Sequence, residues 1–130
     1  MNRTKEKIDL DFIKKIIDFI ESKKGENLVV IDISEVSVIS DYVFIVTVNS
    51  TTHSNSLAKY IVDFFLESGN ANMLYNKNLT LDNPWILIDA KDIIINIFLQ
   101  ETREFYSLEK LYFKGKIIYS SSKSNSFLKI

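Results

Sequence analysis

Four aspartates stand where strands end or turns begin: Asp32, Asp41, Asp89 and Asp92. Converging carboxylates hold divalent metals for phosphoryl or nucleotidyl transfer, so Asp32, Asp89 and Asp92 make one candidate site. The structural alternative is that Asp89 and Asp92 shape a hairpin turn by accepting backbone N–H bonds, with Asp41 capping the turn before its own strand. The companion parts of a nucleotide site are missing, because Gly25, Gly69 and Gly115, the only three glycines, form no phosphate-cradling loop. His53 lies among Ser50, Ser54 and Ser56, and a Ser–His pair is the raw material of nucleophilic catalysis. These residues fall at an expected helix start, however, where Ser and Thr serve as caps, and no nucleophile turn surrounds them. The third set is Trp85, Phe98, Arg103, Phe105 and Tyr106. Trp, Tyr and Arg are the types enriched at binding hot spots, so this set points to recognition.

The elements that must position these groups follow from periodicity. Ile13, Ile16, Ile17 and Ile20 recur at helical spacing and predict a first helix ending near Lys23–Gly25, with Gly25 as its cap. Residues 27–33 (NLVVIDI) and 42–48 (YVFIVTV) read as buried strands, with 35–40 a connector. The short link predicts an antiparallel pair. A second helix starts among Thr51–Ser54, carries Leu57, Ile61, Phe64 and Phe65 on its stripe, and stops at Ser68-Gly69-Asn70. Met73–Tyr75 reads as a short strand and 76–84 as loop. Residues 85–89 and 93–99 form a hairpin in which Trp85, Leu87 and Asp89 share one face and Ile86 and Ile88 the other. On the second strand Ile93, Ile95 and Ile97 oppose Ile94, Asn96 and Phe98. Trp85 therefore either anchors a partner or belongs to a doubly covered core, and both readings stay open. Thr102 is placed as the cap of a last helix running to about Tyr112, with Phe105, Leu108, Leu111 and Tyr112 available to pack. The order is α-β-β-α-β-β-β-α, with a further strand at Lys116–Tyr119. The expectation is a single α/β domain, a mixed β-sheet with helices packed against it, over residues 1–119, and a disordered Ser-rich tail over 120–130.

Composition narrows the classes. At 130 residues with 46% hydrophobic and 25% charged side chains, the chain suits one globular domain. It has no cysteine and one histidine, which removes disulfides, thiolate sites and multi-histidine metal sites. A formal net charge of −1 gives no general attraction to nucleic acid or anionic membrane. The first residues, MNRTKEKIDLDF, hold no apolar core of signal-peptide length, and no segment approaches the roughly 20 apolar residues of a membrane helix. A cytoplasmic protein without a cofactor is expected.

In this order, VVIDIS (29–34), SDYVFIVTVNS (40–50), the helix with Ala58 and Val62, WILIDAKD (85–92), IIINIF (93–98) and TREFYSLEKLY (102–112) resemble the ribosomal silencing factors, also called the Iojap family. The likeness runs from about residue 10 to residue 113. Each motif is loose, and their order and spacing together are specific. The chain departs from the family pattern at Val48 and Lys91, where glycine is usual, at Asn96, where histidine is usual, and at Tyr112, where Trp is usual. The Glu-Gly pair that usually precedes the Trp strand is not evident in 76–81. A catalytic histidine thus has no counterpart.

The resemblance implies a translation factor that is not an enzyme, with a fold similar to a nucleotidyltransferase core lacking its active site. Family members bind the large ribosomal subunit through its ribosomal protein fourteen, block joining of the small subunit and lower translation when nutrients are scarce. Homodimers are also implied. Carried over, Trp85, Leu87 and the strand end Phe98-Leu99-Gln100 are expected at the partner contact, with Arg103 and Tyr106 at its rim or supporting it. The competing expectation is a small metal-dependent nucleotidyltransferase-like enzyme that uses Asp32, Asp89 and Asp92.

Overall fold

The isoleucine stripe forms as the spacing predicts. In a computed structural model describing residues 8–75 and 79–121, helix α1 spans Leu10–Ser22 and buries Ile13, Ile16, Ile17 and Ile20. Asp9 caps its start by accepting the Asp11 N–H at 3.0 Å. Its end differs from expectation. Lys24, at φ 70°, is the left-handed residue, and the N–H groups of Lys24 and Gly25 donate to the carbonyls of Glu21 and Ile20. Gly25 is needed for space, since a Cβ there would stand 2.7 Å from Ile20 Cγ2 and 2.8 Å from Val46 Cγ2.

Strands β1 (Glu26–Asp32) and β2 (Tyr42–Val48) pair antiparallel, as expected. A bulge interrupts their register between Glu26 and Val29, with Asn27 at φ 51°. Helix α2 (Thr51–Glu67) takes Ser50 as its cap, one residue before the expected set, and Gly69 in the left-handed region closes it. Ala71–Met73 is a 3-10 turn where a strand was expected. The Tyr75 N–H donates to the Asp89 carbonyl at 2.9 Å and ties this stretch to the sheet edge. Of the expected loop, 76–78 lie outside the described residues and 79–84 are irregular.

The hairpin is present as β3 (Trp85–Ala90) and β4 (Ile93–Leu99). The final helix is not continuous. Helix α3 (Gln100–Tyr106) starts directly from β4, Ser107 adopts φ 50° and ψ 52°, and α4 (Leu108–Leu111) follows. Thr102 lies inside α3 and caps nothing, and Phe105 and Leu111 are exposed rather than packed. Strand β5 (Lys116–Ser120) completes the sheet, and Ser121 continues along it, exchanging bonds with Leu28 through its N–H and Oγ. The sheet therefore takes in the first two residues of the expected tail, and 122–130 lie outside the described residues.

The order across the five-stranded sheet is β3-β4-β2-β1-β5, with β2 and β4 parallel and the other pairs antiparallel. Helices α1 and α2 cover one face over Leu28, Val30, Phe44, Val46, Ile88 and Ile95. The other face has a smaller core of Val29, Ile31, Ile33, Val43, Ile45 and Phe98, closed by Trp85, Leu108, Tyr112 and Ile117. The expected fold class, a mixed sheet with packed helices, is the one observed. Among the described residues no helix is long and apolar enough to cross a membrane.

Candidate functional site

Strand alternation decides first which carboxylates can meet. Asp32 follows Leu28 and Val30 onto the α1/α2 face, whereas Asp89 follows Trp85 and Leu87 onto the opposite face. Strands β1 and β3 are also separated by β2 and β4, a gap of roughly 14 Å at normal strand spacing. Asp32, Asp89 and Asp92 therefore do not converge, and the expected metal site is not formed by them. Among the described residues, no group of three or more acidic or histidine side chains could hold a metal ion.

Each aspartate has local work instead. Asp32 Oδ1 accepts from the Ser34 N–H at 2.9 Å and the Ser34 hydroxyl at 2.7 Å. Asp89 is pushed above the usual carboxylate range by burial, offset by the N–H bond it accepts from Lys91. Lys91 itself takes φ 58°, the left-handed turn position for which glycine is best suited. The Asp92 carbonyl accepts from both Asp41 N–H and Tyr42 N–H, so the hairpin turn is stitched to the start of β2. Ser40 Oγ adds a bond to the Lys91 carbonyl at 3.2 Å. These contacts are those of turns, made by Asp41 and Asp92 through main-chain atoms.

His53 Nε2 lies 2.9 Å from the Lys23 carbonyl. A carbonyl only accepts, so Nε2 carries the proton and donates. The histidine ties the start of α2 to the end of α1, and its own N–H donates to Ser50 Oγ at 3.1 Å. Ser50 serves as a helix cap, and the ring is spent on the main chain, leaving no Ser–His nucleophile pair between them.

The aromatic set does assemble. The register places Trp85 opposite Phe98 and Leu87 opposite Asn96. The Trp85 ring centre lies 5.0 Å from Phe98 and 4.7 Å from Tyr106, and Phe105 meets Tyr106 edge-on at 5.0 Å. Trp85 is half-buried at the sheet edge and so is not part of a doubly covered core: one side of the ring joins the small core and the rest meets solvent. Leu87 is 41% exposed, Tyr106 is half-exposed, Leu99 is half-buried and Gln100 is exposed, the last held by Glu104 at 2.6 Å.

One expected contact residue is placed differently, and Arg103 takes the supporting place of its two expected ones. Phe98 is fully buried, so it supports the ring of Trp85 and cannot itself reach a partner. Arg103 is 7% exposed and makes a latch. Its Nε and Nη2 engage Glu109 Oε2 at 2.8 and 2.7 Å, and its Nη1 donates to the Asn27 carbonyl at 2.6 Å and to Thr47 Oγ1 at 2.8 Å. The break at Ser107 permits this, because residues six apart on a continuous helix do not face each other. Sequence reasoning missed that break. It also missed that the 35–40 connector exposes Val36, Val38 and Ile39, although three apolar residues outside any strand or helix are a visible signal.

The family model described as "Ribosomal silencing factor during starvation" matches residues 5–127. A ribosomal silencing factor of Bacillus subtilis is 29% identical over 71% of this chain and 76% of its own length. A mouse protein named "Mitochondrial assembly of ribosomal large subunit protein 1" is 27% identical over 82% of this chain and 46% of that protein. A crystal structure of a Chromobacterium violaceum protein superposes with a TM-score of 0.69 at 20% identity, covering 91% of this chain and 97% of that one. A Bacillus halodurans structure does so at 0.67 and 23% identity, covering 85% and 99%. The two structures bear on the fold alone.

Proposed function

The chain belongs to the ribosomal silencing factor family, and from that premise we propose that it docks on the large ribosomal subunit through ribosomal protein fourteen, sterically blocks the small subunit and so represses translation under nutrient limitation. The observation that carries this reading is the half-exposed Trp85–Leu87–Tyr106 platform, rigidly backed by Phe98. A large aromatic seated on a fixed support loses little side-chain freedom on binding, and such anchors are worth about 2 kcal/mol or more. Leu99 and Gln100 extend the platform, while Phe98 and Arg103 hold it from beneath. The name of the mouse relative ties that protein to the large subunit, which favours the same subunit here. The protein acts by occupancy and not by catalysis, in the cytoplasm, and needs no cofactor.

The test is co-sedimentation of the chain with purified large subunits, followed by subunit joining in a sucrose gradient. Leu87→Glu, which places a charge on the platform without disturbing either core, is expected to abolish co-sedimentation and restore joined ribosomes. A folded Leu87→Glu and a folded Trp85→Glu that both still bind would sink the assignment of this face. The same gradients, run on the free chain, read whether it is the homodimer that the resemblance implies.

A further inference from the structure

Asn96 is 1% exposed, on a strand otherwise made of apolar side chains. A buried amide must be matched at both ends, or it costs more than an apolar residue would. Both ends are matched. Its Oδ1 accepts from the Trp85 indole Nε1–H at 3.0 Å, and its Nδ2 donates to the Phe44 carbonyl at 3.2 Å. The amide orientation is not arbitrary. An indole N–H can only donate and a carbonyl can only accept, so the oxygen must face Trp85 and the nitrogen β2. The register explains the reach: Trp85 pairs with Phe98, which makes Asn96 its diagonal neighbour on the same face.

We propose that Asn96 is the positioning residue of the docking platform: its amide bridges the β2 main chain and the indole, and thereby fixes the angle at which Trp85 is presented. Stacking alone leaves the ring free to slide, since aromatic contacts at 4.7 and 5.0 Å tolerate several orientations. The hydrogen bond selects one. This rests on the docking reading above, because the angle matters only if the exposed side of Trp85 meets a partner.

The chain has one tryptophan, so its indole N–H gives a single resonance. In the ¹⁵N-labelled chain that resonance is expected to exchange slowly. Asn96→Leu, similar in size but without either bond, is expected to move the resonance, speed its exchange about tenfold and weaken large-subunit binding about tenfold. Asn96→His, whose neutral ring also offers one acceptor and one donor, is expected to restore both readouts. Asn96→Ser, too short to span the two partners, repeats the test if the leucine variant does not fold. An unchanged indole resonance and exchange rate in these variants would overturn the proposal. So would a lost indole bond with undiminished subunit binding. Failure of the wild-type chain to co-sediment at all would overturn the docking reading, and is scored separately from the indole signal.

Discussion

The two faces of the sheet are closed by different means. On the first, α1 and α2 lay long apolar stripes over Phe44, Ile88 and Ile95, and almost every side chain is fully buried. On the second, a two-part helix covers the β1–β2–β4 region and reaches β3 through Tyr106 on Trp85, leaving Leu87 exposed. The first face is held mostly by nonpolar contact. The second depends on polar fastenings: the Arg103–Glu109 latch, the bonds to Asn27 and Thr47, and the Asn96 bridge. Nonpolar burial is tolerant of angle, whereas hydrogen bonds are not. The face proposed for docking is the one held by these directional bonds.

If that contrast is right, damage to the first face should cost stability and leave binding intact. Ile20→Ala removes a fully buried side chain and is expected to cost about 3–4 kcal/mol in chemical denaturation, with subunit binding by the folded fraction unchanged. Next comes Arg103→Leu, which strands the mostly buried Glu109 carboxylate and is expected to cost about 2–3 kcal/mol. Here α3 should also loosen and binding weaken, visible as faster amide exchange in 100–112. Leu87→Ala should invert the pattern, with stability changed by less than about 1 kcal/mol and subunit affinity lowered about tenfold. A loss of stability there as large as in Ile20→Ala would erase the distinction between the faces.

The smallest expected effect is at the β5 edge. Tyr119 donates to Glu21 Oε2 at 2.5 Å, and this bond, with burial and the nearby carboxylates, pushes its phenol up to about 12. The folded state holds that proton more tightly than the unfolded one, so the contribution is present below about pH 10 and fades as pH rises towards about 12. The side chain is partly exposed, which holds the contribution to about 1 kcal/mol or less. Tyr119→Phe should flatten the alkaline limb of the stability curve by that amount, and an unaltered limb would remove the bond from the account.

Local pattern was legible and distant pairing was not. The Ile13–Ile20 stripe and the alternation from Trp85 to Phe98 follow from two fixed periods, and both gave the right faces. The Schellman turn at Lys24 and the break at Ser107 were misread because a non-glycine residue in the left-handed region carries no reliable signal in a single sequence. Arg103 is of a type that suits either the rim of a contact or a support beneath it. Its burial depends on a carbonyl in a bulge and a carboxylate beyond a helix break, neither of which shows in spacing. Asn96 stood out only as a departure, since the partners of a buried amide lie on other strands.

The parallel pairing of β2 with β4 has a consequence for how the chain folds. Ser40 and Lys91, bonded where that pair begins, are 51 residues apart in sequence. The β3–β4 hairpin needs only a two-residue turn, while its junction with β2 must close a loop that includes all of α2. Chains whose central contacts are this distant fold slowly for their size. The Asn96–Trp85 bond lies within the hairpin, but Asn96's hold on Phe44 needs β2 beside β4, so the tryptophan is fixed from both sides only once that distant pair has closed.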